Sequence, residues 1–349
     1  MVRLLLAAGI AMAVSLAASH FLVRWFKAKH IGQPIHEDVP DGHIIKAGTP
    51  TMGGIGIVLS LLVAYFFTNM VRGTYTRTGL IIVFTIAGAG FVGFLDDWIK
   101  VRSERNLGLS KRAKSVGLLV VAVSFIVLML AFTNVSTTLS FTRAGQFGID
   151  LGSAGWAVWA LLLIVGSTNA VNLTDGLDGL AAGSAILGFF TFLVIGFWGF
   201  RNTDFYGYSH ALDLAVIAAA MVGACTGFLW WNAAPARIIM GDTGSLAIGA
   251  AFATLALANN TQLLLPIIGG LYVMETVSVI LQVGSFRLTG KRIFRMSPIH
   301  HHFELLGWPE STIFVRFWIL AGLSSALALG CYYADFLSST GLGELVVGS

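Results

Sequence analysis

Two adjacent carboxylates, Asp96 and Asp97, have a type and position that suit phosphate chemistry. They follow a hydrophobic stretch at the carboxyl end of a predicted helix, where the helix dipole is already negative, so we expect a cation to offset them. Neighbouring helical positions point about 100° apart, so one carboxylate can hold a metal ion while the other faces a substrate. For an isolated pair, the simpler alternative is a solvated helix end paired with Lys100 or Arg102.

A second polar segment, residues 169–179, lies between two hydrophobic runs and contains neither Lys nor Arg. Its amides and carboxylates, Asn169, Asn172, Asp175 and Asp178, recur every third residue and therefore line one drifting stripe of a helix. An N-cap at the start of the next helix explains one of these residues. Because buried polar groups at a membrane edge are costly, all four together favour a binding role.

A glycine-flanked acid, Asp242, lies in residues 240–245 at the predicted amino end of a helix. Alone, it is typical of an N-cap. Helix amino ends also bind phosphate through free backbone N–H groups, so the carboxylate can hold Mg²⁺ while neighbouring amides take a phosphate oxygen. The spacing of a Walker motif is absent. The segment therefore favours a metal diphosphate as its ligand.

Three consecutive histidines, His300, His301 and His302, lie in residues 297–304 after a basic run. Zinc sites usually spread their ligands more widely, so we predict that these imidazoles donate to phosphate or sugar. The alternative is an incidental polar tract that binds metals non-specifically.

Near the start of the chain, Lys46 and Thr51 precede a glycine-rich helix start. We predict that they contact an anionic ligand, whereas the glycines allow close helix packing.

The scaffold that positions these residues is predicted to be embedded in a bilayer. Of the 349 residues, 56% are hydrophobic and 11% are charged, whereas a soluble domain carries about a quarter charged residues. Hydrophobic windows of about 20 residues, the length that crosses a bilayer, recur along the chain. The predicted spans are 3–23, 51–71, 78–95, 116–133, 154–173, 179–200, 211–230, 244–258, 262–285 and 312–334. We expect an all-α polytopic membrane protein of about ten helices, with one domain over residues 1–349.

Basic residues are divided unevenly between the predicted connections. The odd-numbered connections, together with Arg316 just inside the span that follows the ninth, hold 16 of the 21 Lys and Arg residues of the chain. By the positive-inside rule these connections are cytoplasmic, which places both termini in the periplasm. The acidic and amide motifs fall on the same side, so we predict an active site on the cytoplasmic face. Basic loops beside anionic lipids explain the net positive charge without a nucleic-acid partner.

A transporter is the non-enzyme alternative, but its polar residues should cluster near the midplane of the membrane. Here the acids gather at one face. Glu275 is the main acid within a predicted span, and we interpret it as a packing or cavity contact. A lipid transferase that uses a nucleotide-activated alcohol is a nearer alternative. Its usual Arg after Asp-Gly is absent, since Leu180 follows Asp178 and Gly179.

In their joint order, the motifs resemble those of the phospho-N-acetylmuramoyl-pentapeptide transferase family, among the polyprenyl-phosphate N-acetylhexosamine-1-phosphate transferases. The Lys46 segment and the three histidines resemble this branch more than the relatives that transfer N-acetylglucosamine phosphate from its UDP sugar, which remain the alternative. The resemblance implies that UDP-N-acetylmuramoyl-pentapeptide and undecaprenyl phosphate give lipid I and UMP, with Mg²⁺, in the inner membrane of a bacterium. It also implies a homodimer.

The resemblance, taken with the motifs, also implies roles for individual residues. The predicted catalytic residues are Asp96, Asp97, Asp242 and His301. The predicted ligands of Mg²⁺ are Asp242 and Asp97. The predicted substrate-binding residues are Lys46, Thr51, Lys111, Asn169, Asn172, Asp175, Asp178, His300 and His302.

The acceptor is predicted to attack directly. A phosphate monoester has a second pKa of about 6, so it is largely ionised at pH 7 and hardly needs a strong base. The larger task is to bring two anionic phosphates together. In this hypothesis Asp96 orients or deprotonates the lipid phosphate, while Lys111 and His301 contact phosphate oxygens. A two-step route with Asp242 or Asp96 as covalent nucleophile is the alternative.

Overall fold

The computed structural model of the chain describes residues 1–29, 48–70, 75–103 and 108–341. Within these ranges the regular structure is helical, apart from one isolated β-bridge between Thr138 and Asp150. The helices in chain order are α1 (Val2–Ala28), α2 (Gly54–Met70), α3 (Arg77–Arg102), α4 (Lys111–Phe132), α5 (Gly152–Thr174), α6 (Leu180–Arg201), α7 (Thr203–Tyr206), α8 (Ala211–Asn232), α9 (Gly241–Ala258), α10 (Leu265–Ile268), α11 (Gly270–Thr289), α12 (Ile299–Glu304) and α13 (Glu310–Thr340).

Nine helices of the described ranges are long and apolar enough to cross a bilayer. A further apolar helix, α2, has 17 residues and matches the predicted second span. Each predicted span has helix at its position, so the prediction of an all-α polytopic membrane protein is confirmed. The helix α3 continues past its hydrophobic span to Arg102. Asp96 and Asp97 therefore lie on regular helix and not in a loop.

The prediction of one continuous helix over residues 262–285 is wrong. The helix α10 ends at Ile268, and α11 begins at Gly270. A Cβ added to Gly270 would lie 2.4 Å from Ser324 Oγ and 3.0 Å from Ser324 Cβ of α13, so the start of α11 packs closely against α13. Hydropathy does not reveal the break because both pieces are apolar.

The helix α9 lies at the centre of the bundle, and each of its residues after the first is buried. An added Cβ would lie 2.4 Å from Thr168 Cα of α5 at Gly249, and 2.0 Å from Gly244 N at Gly54 of α2. Small residues allow such close approach between membrane helices. The predicted packing role of Gly54 is therefore confirmed, and the close contacts fix the amino end of α9 relative to its neighbours.

The buried carboxylate of Asp213, at the amino end of α8, joins three helices at one end of the bundle. It accepts hydrogen bonds from Tyr65 Oη at 2.9 Å and Asn69 Nδ2 at 3.0 Å, both on α2. It also accepts from Thr76 N at 3.2 Å and Thr76 Oγ1 at 2.6 Å, just before α3. A buried carboxylate with this many donors is satisfied. This network is structural, and the polar motifs gather at the opposite end.

Candidate active site

Three buried carboxylates form a cluster where the carboxyl end of α3 meets the amino end of α9. Asp96, Asp97 and Asp242 are each at most 9% exposed, and one oxygen from each lies within 4.8 Å of the others. Glycines permit this approach, since a Cβ at Gly93 would lie 2.2 Å from Asp242 O. Gly241 has a φ of 72°, in the left-handed region that favours glycine. The two segments are thus held at backbone contact.

Asp97 caps the amino end of α9 from another helix. Its carboxylate accepts hydrogen bonds from Asp242 N at 3.1 Å, Thr243 N at 2.9 Å and Thr243 Oγ1 at 2.7 Å. The first N–H groups of a helix have no intrahelical partner, so a carboxylate there stabilises the helix. The prediction that amides beside Asp242 take a phosphate oxygen is therefore wrong for these two groups, because Asp97 occupies them.

Two lysines meet the acidic cluster. Lys100 Nζ lies 2.5 Å from Asp96 Oδ2 and 3.0 Å from Asp242 Oδ2. Lys114 Nζ, on α4, lies 2.7 Å from the same oxygen of Asp242. The alternative pairing of the acids with Lys100 therefore exists, but the acids are buried and not solvated. Lys111, the lysine predicted from the sequence to bind substrate, lies at the exposed start of α4.

Lys114 lies three residues after Lys111, which puts both on neighbouring positions of one helix face. The sequence signal for Lys114 was only its membership of this basic group. Nothing in the spacing shows which lysine turns toward α9.

The carboxyl end of α5 joins the cluster through an amide and a carboxyl group. Asn172 Oδ1 accepts a hydrogen bond from Ser245 Oγ of α9 at 2.8 Å. Asp175 follows the last residue of α5. Burial raises the pKa of the Asp175 carboxyl well above its usual value, and the nearby carboxylates of Asp242 and Asp97 raise it further. This part of the predicted motif therefore lies within electrostatic range of the acidic cluster.

The other two members of that motif have different surroundings. Asn169 is exposed and donates to Val165 O of its own helix at 2.8 Å. The buried Asp178 accepts a hydrogen bond from Ala236 N at 2.9 Å, which ties the start of α6 to the loop before α9. Asn232 is not among the predicted site residues. Its Oδ1 accepts a hydrogen bond from Gly179 N at 3.0 Å and so fixes the same loop. A lone Asn at the end of an apolar run gives no signal for this role.

Each of the three histidines on or beside α12 meets a different protein partner. His300 is completely buried, with Nδ1 3.1 Å from Glu275 Oε2 of α11. His301 Nδ1 lies 2.5 Å from Glu304 Oε2. His302 Nδ1 accepts from Arg295 N at 3.1 Å, so the neutral ring carries its proton on Nε2.

The histidine helix also touches the loop that follows α5. A Cβ at Gly176 would lie 2.3 Å from His300 Nε2, so the imidazole packs directly on the backbone there. The structure thus brings segments of α3, α5, α9 and α12 to one end of the bundle.

Thr51 is buried in the loop before α2, where Pro50 O accepts a hydrogen bond from Ile239 N at 2.7 Å. Lys46 lies outside the described residues.

The acidic cluster fits a hard divalent cation. All three potential ligands are carboxylates, and Mg²⁺ prefers oxygen ligands of this kind. Lys100 and Lys114 supply positive charge at the same oxygens, as buried carboxylates require. The arrangement can therefore hold a cation and, beside it, an anionic phosphate.

Comparison with known proteins identifies the family. Residues 79–260 match the family model of glycosyl transferase family 4. A phospho-N-acetylmuramoyl-pentapeptide-transferase of Frankia alni is 48% identical over 349 residues, covering 96% of this chain and 98% of the relative.

Two further relatives carry the same name. The protein of Thermobifida fusca is 48% identical and covers 97% of this chain and 99% of its own length. That of Streptomyces griseus is 47% identical, with 96% and 98% covered. These names favour the muramoyl branch over the N-acetylglucosamine branch and over a transporter, as the motifs indicated. The chain therefore belongs to glycosyl transferase family 4 and to the phospho-N-acetylmuramoyl-pentapeptide-transferase family.

Proposed function

We propose that the chain transfers phospho-N-acetylmuramoyl-pentapeptide from UDP-N-acetylmuramoyl-pentapeptide to undecaprenyl phosphate, which gives lipid I and UMP. The observation that carries the proposal is the meeting of three carboxylates and two lysines at one end of a membrane bundle. This site lies in a chain that is 48% identical over nearly its whole length to a relative of that name.

The acidic cluster is the proposed site of Mg²⁺. Asp242 and Asp97 are the proposed ligands, and Asp96 lies within reach of both. Mg²⁺ would supply charge neutralisation for the diphosphate of the donor. Because Asp97 also caps α9, its hydrogen bonds fix the direction of its carboxylate before any ligand binds.

The basic side chains offset the repulsion between the two substrates. Lys100 and Lys114 both contact Asp242, so their charges lie where the donor diphosphate and the lipid phosphate must meet. Asp96 is proposed to orient the lipid phosphate, which is already ionised at neutral pH. Lys111 and His301 are proposed to contact phosphate oxygens, with the remaining predicted residues other than the buried His300 around the nucleotide and sugar.

An apolar cavity supports a lipid acceptor. Its volume is about 230 Å³, and it lies between α5, α9, α10 and α11. Its walls include Leu163, Val171, Phe252 and Val277. Along α5 it ends one residue before Asn172, beside the polar site. We propose that it takes the part of the isoprenoid chain next to the phosphate, so that the acceptor enters from the membrane.

The assay uses purified protein in detergent with undecaprenyl phosphate and either UDP-N-acetylmuramoyl-pentapeptide or UDP-N-acetylglucosamine, with and without Mg²⁺. We expect lipid I and UMP from the first donor only, and only with the metal present. Turnover of the second donor alone would contradict the proposal. Exchange of labelled UMP into the donor, with all lipid phosphate removed, would overturn direct attack in favour of the two-step route.

The surroundings of the enzyme are proposed from its charge distribution and its family. We propose that it lies in the inner membrane of a bacterium with this site on the cytoplasmic face, since the basic connections fall on the side of the acidic motifs. The homodimer stays a prediction.

A further inference from the structure

Glu275 of α11 and His300 of α12 form a buried pair of ionisable side chains that the proposed chemistry does not use. Both side chains are 0% exposed, and Glu275 Oε2 lies 3.1 Å from His300 Nδ1. This contact is not aligned as a hydrogen bond. Within the described part of the chain, Glu275 Oε1 and His300 Nε2 also have no hydrogen-bond partner.

Such a pair is a poor means of stabilising a fold. Each group loses its hydration on burial, and apolar residues of similar volume are often neutral or stabilising in its place. Buried polar atoms without a partner add a further cost. A buried group of this kind in a native structure therefore calls for an explanation other than stability.

The surroundings of His300 explain why the buried pair is present. On one side of its imidazole lies the carboxylate of Glu275, and on the other lies the backbone of Gly176. A Cβ at Gly176 would lie 2.3 Å from Nε2 and 2.9 Å from Cε1, so no side chain fits between them. Gly176 directly follows Asp175, while His301 directly follows His300. The imidazole is therefore a spacer between two segments that bear polar groups of the site.

We propose that Glu275 is a positioning residue: through His300, it sets the separation between His301 and residues 172–175. The inference rests on the proposed function, in which His301 contacts a phosphate oxygen while residues 172–175 lie around the nucleotide and sugar. His300 is then a buried residue that does not contact the substrate, and His301 is the histidine that binds it. The sequence predicts a packing or cavity contact for Glu275, because it lies within an apolar span. In this proposal the packing contact also determines where His301 lies relative to the substrate.

The first test is Glu275→Gln, which keeps the size of the side chain and removes its charge. We expect the KM for UDP-N-acetylmuramoyl-pentapeptide to rise about 10-fold or more, by analogy with residues that orient a metal-binding histidine. The KM for undecaprenyl phosphate should not change. Asp204→Asn, which removes an exposed acid on α7, is the control for loss of a carboxylate and should leave both constants unchanged.

A double variant separates positioning from folding. Glu275→Met with His300→Phe replaces the pair by apolar side chains of similar size, so we expect an unchanged or higher melting temperature in detergent. Its KM for the donor should still be raised, because no carboxylate at position 275 then holds the ring at position 300 against Gly176. Because the two residues act as one unit, Glu275→Gln added to His300→Asn should be no worse than the poorer single variant.

The outcomes distinguish this inference from the proposed function. If the wild-type protein makes no lipid I, the proposed function fails and this inference fails with it. If the wild type is active and Glu275→Gln keeps the wild-type KM for the donor, only the positioning role is wrong. A loss of active enzyme with both KM values unchanged would show a structural role and would also overturn the inference.

Discussion

At the scale of single residues, the three acids of the cluster differ in their partners. Asp97 is held by the backbone and side chain of α9. Asp96 accepts a hydrogen bond from Leu109 N at 2.8 Å in addition to its contact with Lys100. Asp242 instead meets two lysine side chains, which are flexible and which a phosphate can draw away. Its carboxylate is therefore the one most open to exchange of partners.

We expect Asp242→Asn to lower kcat for lipid I formation by at least about 100-fold, because it removes the negative charge that holds both lysines and the proposed Mg²⁺. The variant should still extract and elute as the wild type does in size-exclusion chromatography. Asp204→Asn, an exposed acid on α7, is the matched control. Activity near the wild-type level in Asp242→Asn at ordinary Mg²⁺ would refute the assignment.

The two lysines of α4 give a second prediction. Lys114→Ala should lower kcat/KM by about 10- to 100-fold, since its ammonium lies 2.7 Å from Asp242 Oδ2. Lys111→Ala should have a smaller effect, because Lys111 is exposed at the start of the helix. Initial rates for both variants at matched protein concentration decide between them. A larger loss in Lys111→Ala than in Lys114→Ala would make Lys111 the more important of the two lysines.

Residue types and their order were enough to select Asp96, Asp97 and Asp242, since adjacent or glycine-flanked acids at predicted helix ends are visible in the chain. The capping of α9 by Asp97 was not predictable, because it depends on how two distant helices dock. The same holds for Lys114, whose partner is set by the rotation of α4.

At the scale of helices, α9 depends on small residues. We expect Gly249→Ala to destabilise the protein by about 1–3 kcal/mol through overpacking, because the new Cβ would lie 2.4 Å from Thr168 Cα. Gly284→Ala on α11 is the control, since nothing lies within 4 Å of that position. Denaturant unfolding in detergent micelles measures both. Equal stability of the two variants would contradict the close packing of α5 on α9.

Hydrophobic windows located the spanning helices because the bilayer imposes one length and one polarity on them. They did not show that α3 continues through the acid pair, since polar residues end a hydropathy window without ending a helix. Nor did they separate α10 from α11, where the start of α11 packs closely against α13. Hydropathy predicts burial in lipid, whereas these two features depend on packing against protein.

At the scale of the whole molecule, the two ends of the bundle should face different compartments. In a chain with Cys225 and Cys331 replaced by Ala, we expect Phe147→Cys to react with an impermeant maleimide in spheroplasts. Leu288→Cys should react only in inverted membrane vesicles. Both positions are exposed, at 49% and 87%, and the charge asymmetry assigns the end with Leu288 to the cytoplasm. The reverse pattern would invert the proposed orientation.

A single domain over residues 1–349 also stays a prediction.

The capping of α9 by Asp97 has a consequence for biosynthesis. The carboxylate belongs to an early helix and its donors to a late one, 145 and 146 residues further along the chain. A ribosome therefore delivers the acid pair well before the segment that completes the cluster. A chain that terminates between the two still has Lys100 beside Asp96, but it lacks Asp242 and the helix end that Asp97 caps. Catalytic competence thus arises late in translation, once most of the membrane bundle has been inserted.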